Sequence, residues 1–447
     1  MSGRFEGEHA VVIGAGVAGA SAARLLVSEG AVVRITERRP EDQIALAPML
    51  RSDGIELRTG GHRPEHLDGA TLVVTAPGVE PHADVLAWAR ERDLPVWGEM
   101  ELGARLAPSP YIGVTGTNGK TTATGMIVAC LRADGMAAVA CGNIGHPFPQ
   151  ATTEPHEVLV VECSSFQLEL QESFHPKVSV LLNLAPDHLD WHGSEQAYEG
   201  AKRKIFARQG PGDVHVGNRD DPAAAAASSR ASCELRWFRR DEPEEGEVGY
   251  VGDELVASLE GRRSLGAIVG APGLREDAAA AASAALAFGA RPDAVAAGLA
   301  AYRPGHHRGE VVAVVEGVRF VDDSKATNVH AALAAIDGAP GAVLIAGGRT
   351  KGADLSPLVT RAQELRGVVA IGEAAPELVR LFDGRVPVAD AGSIEDAVTK
   401  AFAMADGGGT VLLAPACASW DQFRDYAERG ERFAAAARAL EPVGADG

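Results

Sequence analysis

Residues 111–122 read YIGVTGTNGKTT: a short apolar run, a glycine-rich turn, then Lys-Thr-Thr opening an apolar-periodic stretch. A strand that runs through such a turn into a helix beginning near Thr121 presents successive backbone N–H groups to an anion, with the helix N-terminus behind them. Lys120 adds a point cation and Thr121 a hydroxyl suited to magnesium. Gly116, Thr117, Asn118, Gly119 and Thr122 complete the turn as a candidate cradle for nucleotide phosphates. The spacing departs from the common G-x-x-x-x-G-K-T form, whose first glycine would fall on Val114.

Toward the N-terminus, residues 9–36 read as strand, glycine turn, helix and strand, a βαβ unit. Gly14, Gly16 and Gly19, with Val17 between them and Glu37 further on, match a dinucleotide fingerprint. Taken alone, this turn fits a nicotinamide or flavin site, or plain helix–strand packing. A second strand, TLVVTAPGV, ends at the turn containing Gly78, and the APSP run after Leu106 marks a linker.

Toward the C-terminus, the short strands VLVVE and VSVLLNL follow the loop, and 213–265 mixes short strands with acidic turns. GLREDAAAAASAALAFGA predicts a helix, and Pro292 and Pro304 punctuate the passage to VRFVDDS, AVLIAGG, GVVAIG and TVLLAPA, which alternate with helices. The pattern predicts an α/β protein of three domains. A Rossmann-like domain spans 1–107, a central P-loop ATPase-type α/β domain with a small β elaboration spans 108–304, and a second Rossmann-like domain spans 305–447.

The length of 447 residues agrees, being about three times a domain of roughly 150. A net charge of -19 argues against a nucleic-acid partner, whose binding needs clustered cations. The start MSGRFEGEHA lacks a basic segment leading into an apolar one, and no run approaches the roughly 20 apolar residues of a membrane span. Five scattered cysteines without a C-x-x-C pair suit free thiols. A cytoplasmic monomer is expected, with neither membrane nor nucleic acid as partner. Only seven of the 42 basic residues are lysine, so each lysine marks a place where arginine could be unable to serve.

TGTNGKTT resembles the loop of the Mur ligase and folylpolyglutamate synthase superfamily, and further boxes of the Mur ligases follow in order. They are Asn143 in GNIGHP, Glu162 in VVECSSFQLE with Ser164, Asp187 and His188 in NLAPDHLDWH, and Lys202 in AYEGAKRKIF. Beyond them come Asp323, Lys325 and Thr327 in DSKATN, Lys351 in GGRTKGADLSPL, and APACASWDQFRDYAERGERF near the C-terminus. The last box resembles the members that add glutamate. Four of the seven lysines, Lys120, Lys202, Lys325 and Lys351, fall in these boxes.

The resemblance implies ATP and two Mg2+ ions, with the ions on Thr121, Glu162, His188 and Lys202, and Lys202 carbamylated. A neutral amine takes up CO2 and becomes an anionic ligand, which arginine cannot do. It implies that Lys120, His188, Lys202 and Arg308 act in catalysis, and that Arg308, Asp323 and Lys325 join the loop around the nucleotide. Gly16, Val17, Glu37, Gly78, Asn143 and Ser164 would hold a UDP-linked precursor, and Thr327, Lys351, Ser419 and Tyr426 the glutamate. The implied reaction joins D-glutamate to UDP-N-acetylmuramoyl-L-alanine through an acyl phosphate. Alternatives are the same reaction with L-glutamate, another amide ligase of the superfamily, a nicotinamide-dependent oxidoreductase, and a nucleotide sensor without turnover. The chain departs from the family at Leu274, Arg275 and Ala278, where a His-Asn pair and a later Asn help to hold adenine. It departs again at Ala18 and Arg38 in the uracil pocket, and at Tyr426, which takes a Phe position.

Overall fold

The computed structural model describes residues 3–259, 261–268, 272–405 and 407–440. Met1 and Ser2 of the segment read as leaderless, Glu260 of the β-rich segment and residues 441–447 of the expected third domain lie outside them.

Three sheets follow one another along the chain. The first has five parallel strands in the order Glu56–Arg58, Val32–Thr36, His9–Ile13, Leu72–Thr75, Val96–Gly98. Its strand order reverses beside His9–Ile13, so a crevice opens at the carboxyl end of that strand, where the Gly14–Gly19 turn lies. The two short flanking strands, Glu56–Arg58 and Val96–Gly98, carry too few apolar residues to stand out in the sequence.

The second sheet has nine strands. Tyr111–Thr115 lies between Val158–Glu162 and Val178–Leu181, all parallel, and every residue of the first two strands is buried. Burial on both faces explains the unbroken apolar runs, as covered parallel sheets require. Ile112 and Val114 face a core shared with helices Lys120–Ala133 and Pro272–Phe288, while Tyr111 faces Phe148 and Phe174 on the other side. Within segment 213–265, Val214–Asn218 and Glu234–Phe238 continue the parallel sheet, and Glu247–Val251, Glu254–Ser258 and Arg262–Ala267 form the small β elaboration, an antiparallel meander at its end. Acidic turns between short strands hid this continuity.

The third sheet has six strands, with Glu310–Val315 antiparallel at one edge and the rest parallel. That edge strand leaves Val311 and Val314 exposed.

Two helices hold the phosphate loop from behind. Ala278 through Ala282, Ala284 and Ala285 of helix Pro272–Phe288 are fully buried against helix Lys120–Ala133, their small side chains permitting close approach. On helix Pro292–Ala301, a Cβ at Gly298 would stand 2.5 Å from the Cys130 Cα, so only glycine allows that contact. Helix Lys120–Ala133, and with it the loop at its N-terminus, is fixed by packing rather than by polar bonds.

Candidate active site

Gly119 caps helix Lys120–Ala133 at φ +81°, in the left-handed region that glycine enters at least cost. A Cβ there would also fall 2.0 Å from Asp277 Oδ1. The loop therefore turns under the helix N-terminus, where unpaired N–H groups and the helix dipole favour anions. Lys120 Nζ folds back to donate to the carbonyls of Gly116, at 2.9 Å, and Thr117, at 2.8 Å. Lys202, from helix Glu195–Arg203, is 1% exposed and donates to the same Gly116 oxygen at 2.6 Å. Two side-chain amines thus share one carbonyl. Burial, and then the neighbouring Lys120, hold Lys202 well below the usual lysine range.

Thr117 accepts from Ala185 N–H and lies 3.1 Å from Tyr198 Oη, tying the loop to the helix that carries Lys202. Thr121 occupies the second position of the helix the loop caps. Thr122 hydrogen-bonds Asp277, whose carboxyl is pushed well above its usual range by burial, against the pull of Arg308 and Lys120.

Glu162 ends its strand beside the loop. Asn143 Nδ2 donates to Glu162 Oε1 at 2.8 Å, while Oε2 is buried without a hydrogen-bond partner among the described residues. A buried carboxylate oxygen left unpaired is costly unless something else occupies it. His188 follows Asp187 at φ +53°, its ring against Phe166, and burial holds it down to about 4, which leaves the imidazole neutral. Among the described residues no group of three or more His, Cys, Asp and Glu side chains is placed to hold a metal ion. Magnesium asks for less, one or two carboxylates with phosphate and water supplying the other oxygens. The unpaired Glu162 oxygen beside a phosphate cradle fits that demand.

The third domain is docked on this cluster. Lys351 Nζ lies 3.1 Å from Asp187 Oδ1, both largely buried. Asp323 and Lys325 follow strand Val318–Asp322; burial raises Asp323 to about 7 and lowers Lys325 to about 8, with Arg308 acting on both. Lys325 N–H donates to His307 O, and His307 Nδ1 lies 2.7 Å from Asp322 Oδ2, which locks the segment carrying Arg308 to the third sheet. Lys325 Nζ sits 5.0 Å from the Tyr426 ring centre.

The segments carrying Thr327, Lys351 and Ser419 share a brace that sequence reasoning missed. Arg429, 0% exposed, donates to Ser324 Oγ at 3.0 Å, Ser324 O at 2.9 Å and Cys417 O at 3.1 Å. Arg349 and Ala418 exchange backbone hydrogen bonds across the same loops. In the sequence Arg429 is one arginine among many on an amphipathic helix, and nothing marks it as buried.

At the first sheet, Gly16 caps helix Val17–Ser28, Val17 is exposed, and Gly78 follows strand Leu72–Thr75. A Cβ at Gly19 would meet Gly14 O at 2.0 Å, so this glycine is a packing necessity. Glu37 accepts from Ala15 N–H and Arg39, which draw it down to about 2, so its carboxylate is engaged in shaping the turn. Ser164 is likewise engaged, capping helix Ser165–Glu169 with Gln167. Of the three departures, Ala278 faces the core, Leu274 packs against it, and Arg275 lies over Tyr250 while pairing with Asp253. The group from that stretch that reaches the loop is Asp277.

Fold and site together define a phosphate-loop α/β protein whose loop is roofed by a third domain. Family models match along the chain: Mur ligase MurD-like, N-terminal domain, over 8–98; Mur ligase middle domain over 114–253; and Mur ligase, glutamate ligase domain, over 307–417. The UDP-N-acetylmuramoylalanine--D-glutamate ligase of Frankia casuarinae is 44% identical, covering 98% of this chain and 95% of its own. The protein of the same name from Thermobifida fusca is 41% identical over 98% of this chain and 99% of its own. Among solved structures, a pseudomurein peptide ligase type C from Methanothermus fervidus superposes with a TM-score of 0.63 at 20% identity, covering 97% of this chain and 100% of its own. A UDP-N-acetylmuramate-alanine ligase from Thermotoga maritima gives 0.61 at 17% identity, covering 96% and 99%; at such identities the likeness is one of fold. The chain belongs to the Mur ligase family, in its MurD-type branch.

One consequence concerns Gly119. Gly119→Ala forces a side chain into the left-handed region and against Asp277, at a combined cost of roughly 1–3 kcal/mol. Calorimetry with a non-hydrolysable ATP analogue is expected to show binding weakened about tenfold or more, since each 1.4 kcal/mol is a factor of ten.

Proposed function

We propose that the protein joins D-glutamate to UDP-N-acetylmuramoyl-L-alanine, with ATP converted to ADP and phosphate, in the synthesis of peptidoglycan precursors. The observation that carries the reading is the convergence of Lys120 and Lys202 on the Gly116 carbonyl, beside the unpaired Glu162 oxygen and under a third domain docked through Lys351 and Asp187.

In this reading Gly116 through Thr122 and Lys120 hold the triphosphate, with Arg308, Asp323 and Lys325 around the nucleotide. Thr121, Glu162, His188 and Lys202 would hold magnesium, which when bound would neutralise phosphate charge. Lys202 carries a carbamate: its buried amine, crowded by Lys120, is relieved of like charge when it adds CO2 and releases a proton. The alanine carboxylate of the precursor attacks the γ-phosphorus, ADP departs, and an acyl phosphate forms. Positioning and charge stabilisation dominate such a step. The amine of glutamate then attacks the acyl carbon, and phosphate leaves.

Thr327, Lys351, Ser419 and Tyr426 hold the glutamate; Lys351, which pairs with Asp187, exchanges that carboxylate for one of the substrate's or shares itself between them. Gly16, Val17, Glu37, Gly78, Asn143 and Ser164 line the path of the UDP precursor, with Glu37 and Ser164 acting by shaping the backbone. The docked roof keeps water from the acyl phosphate. By function the chain divides into a precursor-binding domain at 1–107, an ATP-binding domain at 108–304 and a glutamate-binding domain at 305–447, acting as a cytoplasmic monomer. No helix among the described residues is long and apolar enough to cross a membrane. Phosphate release that requires both precursor and glutamate tests the reading; release with neither, or with NADH binding in place of ATP, would refute it.

A further inference from the structure

Asn118 stands at the middle of the phosphate loop and is held from two opposite sides. Its backbone belongs to the middle domain: Asn118 N–H donates to Asn183 Oδ1 at 2.8 Å, and Asn183 Nδ2 donates to Asn118 O at 3.3 Å. Its side chain belongs to the third domain. Asn118 Nδ2 donates to Asn328 Oδ1 at 3.2 Å, and Asn328 Nδ2 donates back to Asn118 Oδ1 at 3.0 Å. The second hydrogen on Asn118 Nδ2 points to His330 Nδ1, 2.9 Å away, which accepts it when unprotonated.

Asn328 is 8% exposed and is also the cap of helix Val329–Asp337, its Oδ1 accepting from Ala331 N–H at 2.9 Å. Capping fixes which end of the amide is oxygen, and so fixes the orientation of the whole pair. A cap alone needs only an acceptor, which Ser, Thr or Asp would supply equally well. The amide donors are surplus to that task, and both are used across the domain boundary, one on Asn118 and one on Asp187 Oδ2 at 3.3 Å. Nor does the turn itself require asparagine at 118, since that residue is not at positive φ. Between Gly116 and Gly119, the Asn118 side chain finds its hydrogen-bond partners in the third domain.

We propose that Asn328, aided by His330, is a positioning residue for the phosphate loop, so that the nucleotide cradle is completed by the third domain and nucleotide binding and domain docking strengthen each other. Resting on the ATP reading above, the proposal extends it to a residue with no direct part in the chemistry. The reciprocity is obligatory: whatever docking adds to nucleotide affinity, nucleotide adds to docking.

The test is calorimetric binding of the β,γ-imido analogue of ATP, with magnesium, to the full-length protein and to Asn328→Ser. Serine keeps the helix cap while losing both amide donors. Binding about tenfold weaker is expected, with a matching rise in KM for ATP and a thermal midpoint within a few degrees of wild type. Asn118→Ala combined with Asn328→Ser is expected to bind no more weakly than Asn118→Ala alone, because the two act through each other. Equal affinity of Asn328→Ser and wild type, or fully additive losses, would overturn the proposal. Absence of binding to wild type would instead overturn the ATP reading. Should Asn328→Ser fail to fold, His330→Ala, which leaves the cap untouched, serves in its place: about threefold weaker binding is expected, and unchanged affinity would be contrary.

Discussion

Lys202→Ala is expected to lower turnover by about 10³-fold while leaving the thermal midpoint unchanged or higher. Loss of one group that stabilises transition-state charge costs about 10²–10³ in rate, and Lys202 reaches the phosphate loop, sharing the Gly116 carbonyl with Lys120. Stability should move the other way. Lys202 is buried beside Lys120 with a carbonyl as its bonded partner, so keeping its amine there costs desolvation that no opposite charge offsets. Removing it relieves that cost. Formate or acetate in the assay is expected to restore part of the activity by filling the space of the carbamate, whereas Lys202→Arg, which cannot add CO2, should stay inactive without rescue. Wild-type turnover in Lys202→Ala would refute the assignment of Lys202 to the metal.

Glu162→Gln is expected to reduce turnover by about 10²-fold and to raise the magnesium concentration for half-maximal rate by about tenfold or more. The substitution preserves size and an oxygen for Asn143 Nδ2, which now bonds Glu162 Oε1. What it removes is the negative charge on the buried, unpaired Oε2. A metal titration distinguishes this from a general loss of structure, because a merely structural glutamate would lower the rate at every magnesium concentration alike. An unchanged half-maximal concentration would show that Oε2 does not face the ion.

Much of this site was legible because its chemistry is local in sequence. The run from Gly116 to Thr122 carries its own strand, turn and helix start, so phosphate binding could be read from one segment. Scarcity made the lysines informative, and Lys202 and Lys120 do meet on one oxygen. What stayed hidden depends on pairs distant in sequence. Lys351 with Asp187, Asn328 with Asn118, and Arg429 with Ser324 and Cys417 are contacts between loops that only the tertiary fold brings together. Glu37 and Ser164 show the converse limit. The sequence marks both as contacts for the precursor, while in the structure their oxygens serve backbone N–H groups.

The stretch from Leu274 to Ala278 shows how neighbours in sequence divide between core and site. Ala278 faces the packed core and Arg275 lies over Tyr250. Asp277, between them, is the side chain that reaches Gly119 and Thr122. Helical periodicity puts adjacent residues about 100° apart, so a stretch that looks uniformly altered can present a single group to the site.

The central claim, an ATP-driven bond between D-glutamate and the precursor, is tested most directly by product formation from UDP-N-acetylmuramoyl-L-alanine, MgATP and one glutamate enantiomer at a time. Equimolar phosphate and amide product with D-glutamate, and little with L-glutamate, is the expected result. Silence with both enantiomers, or preference for L-glutamate, would contradict it.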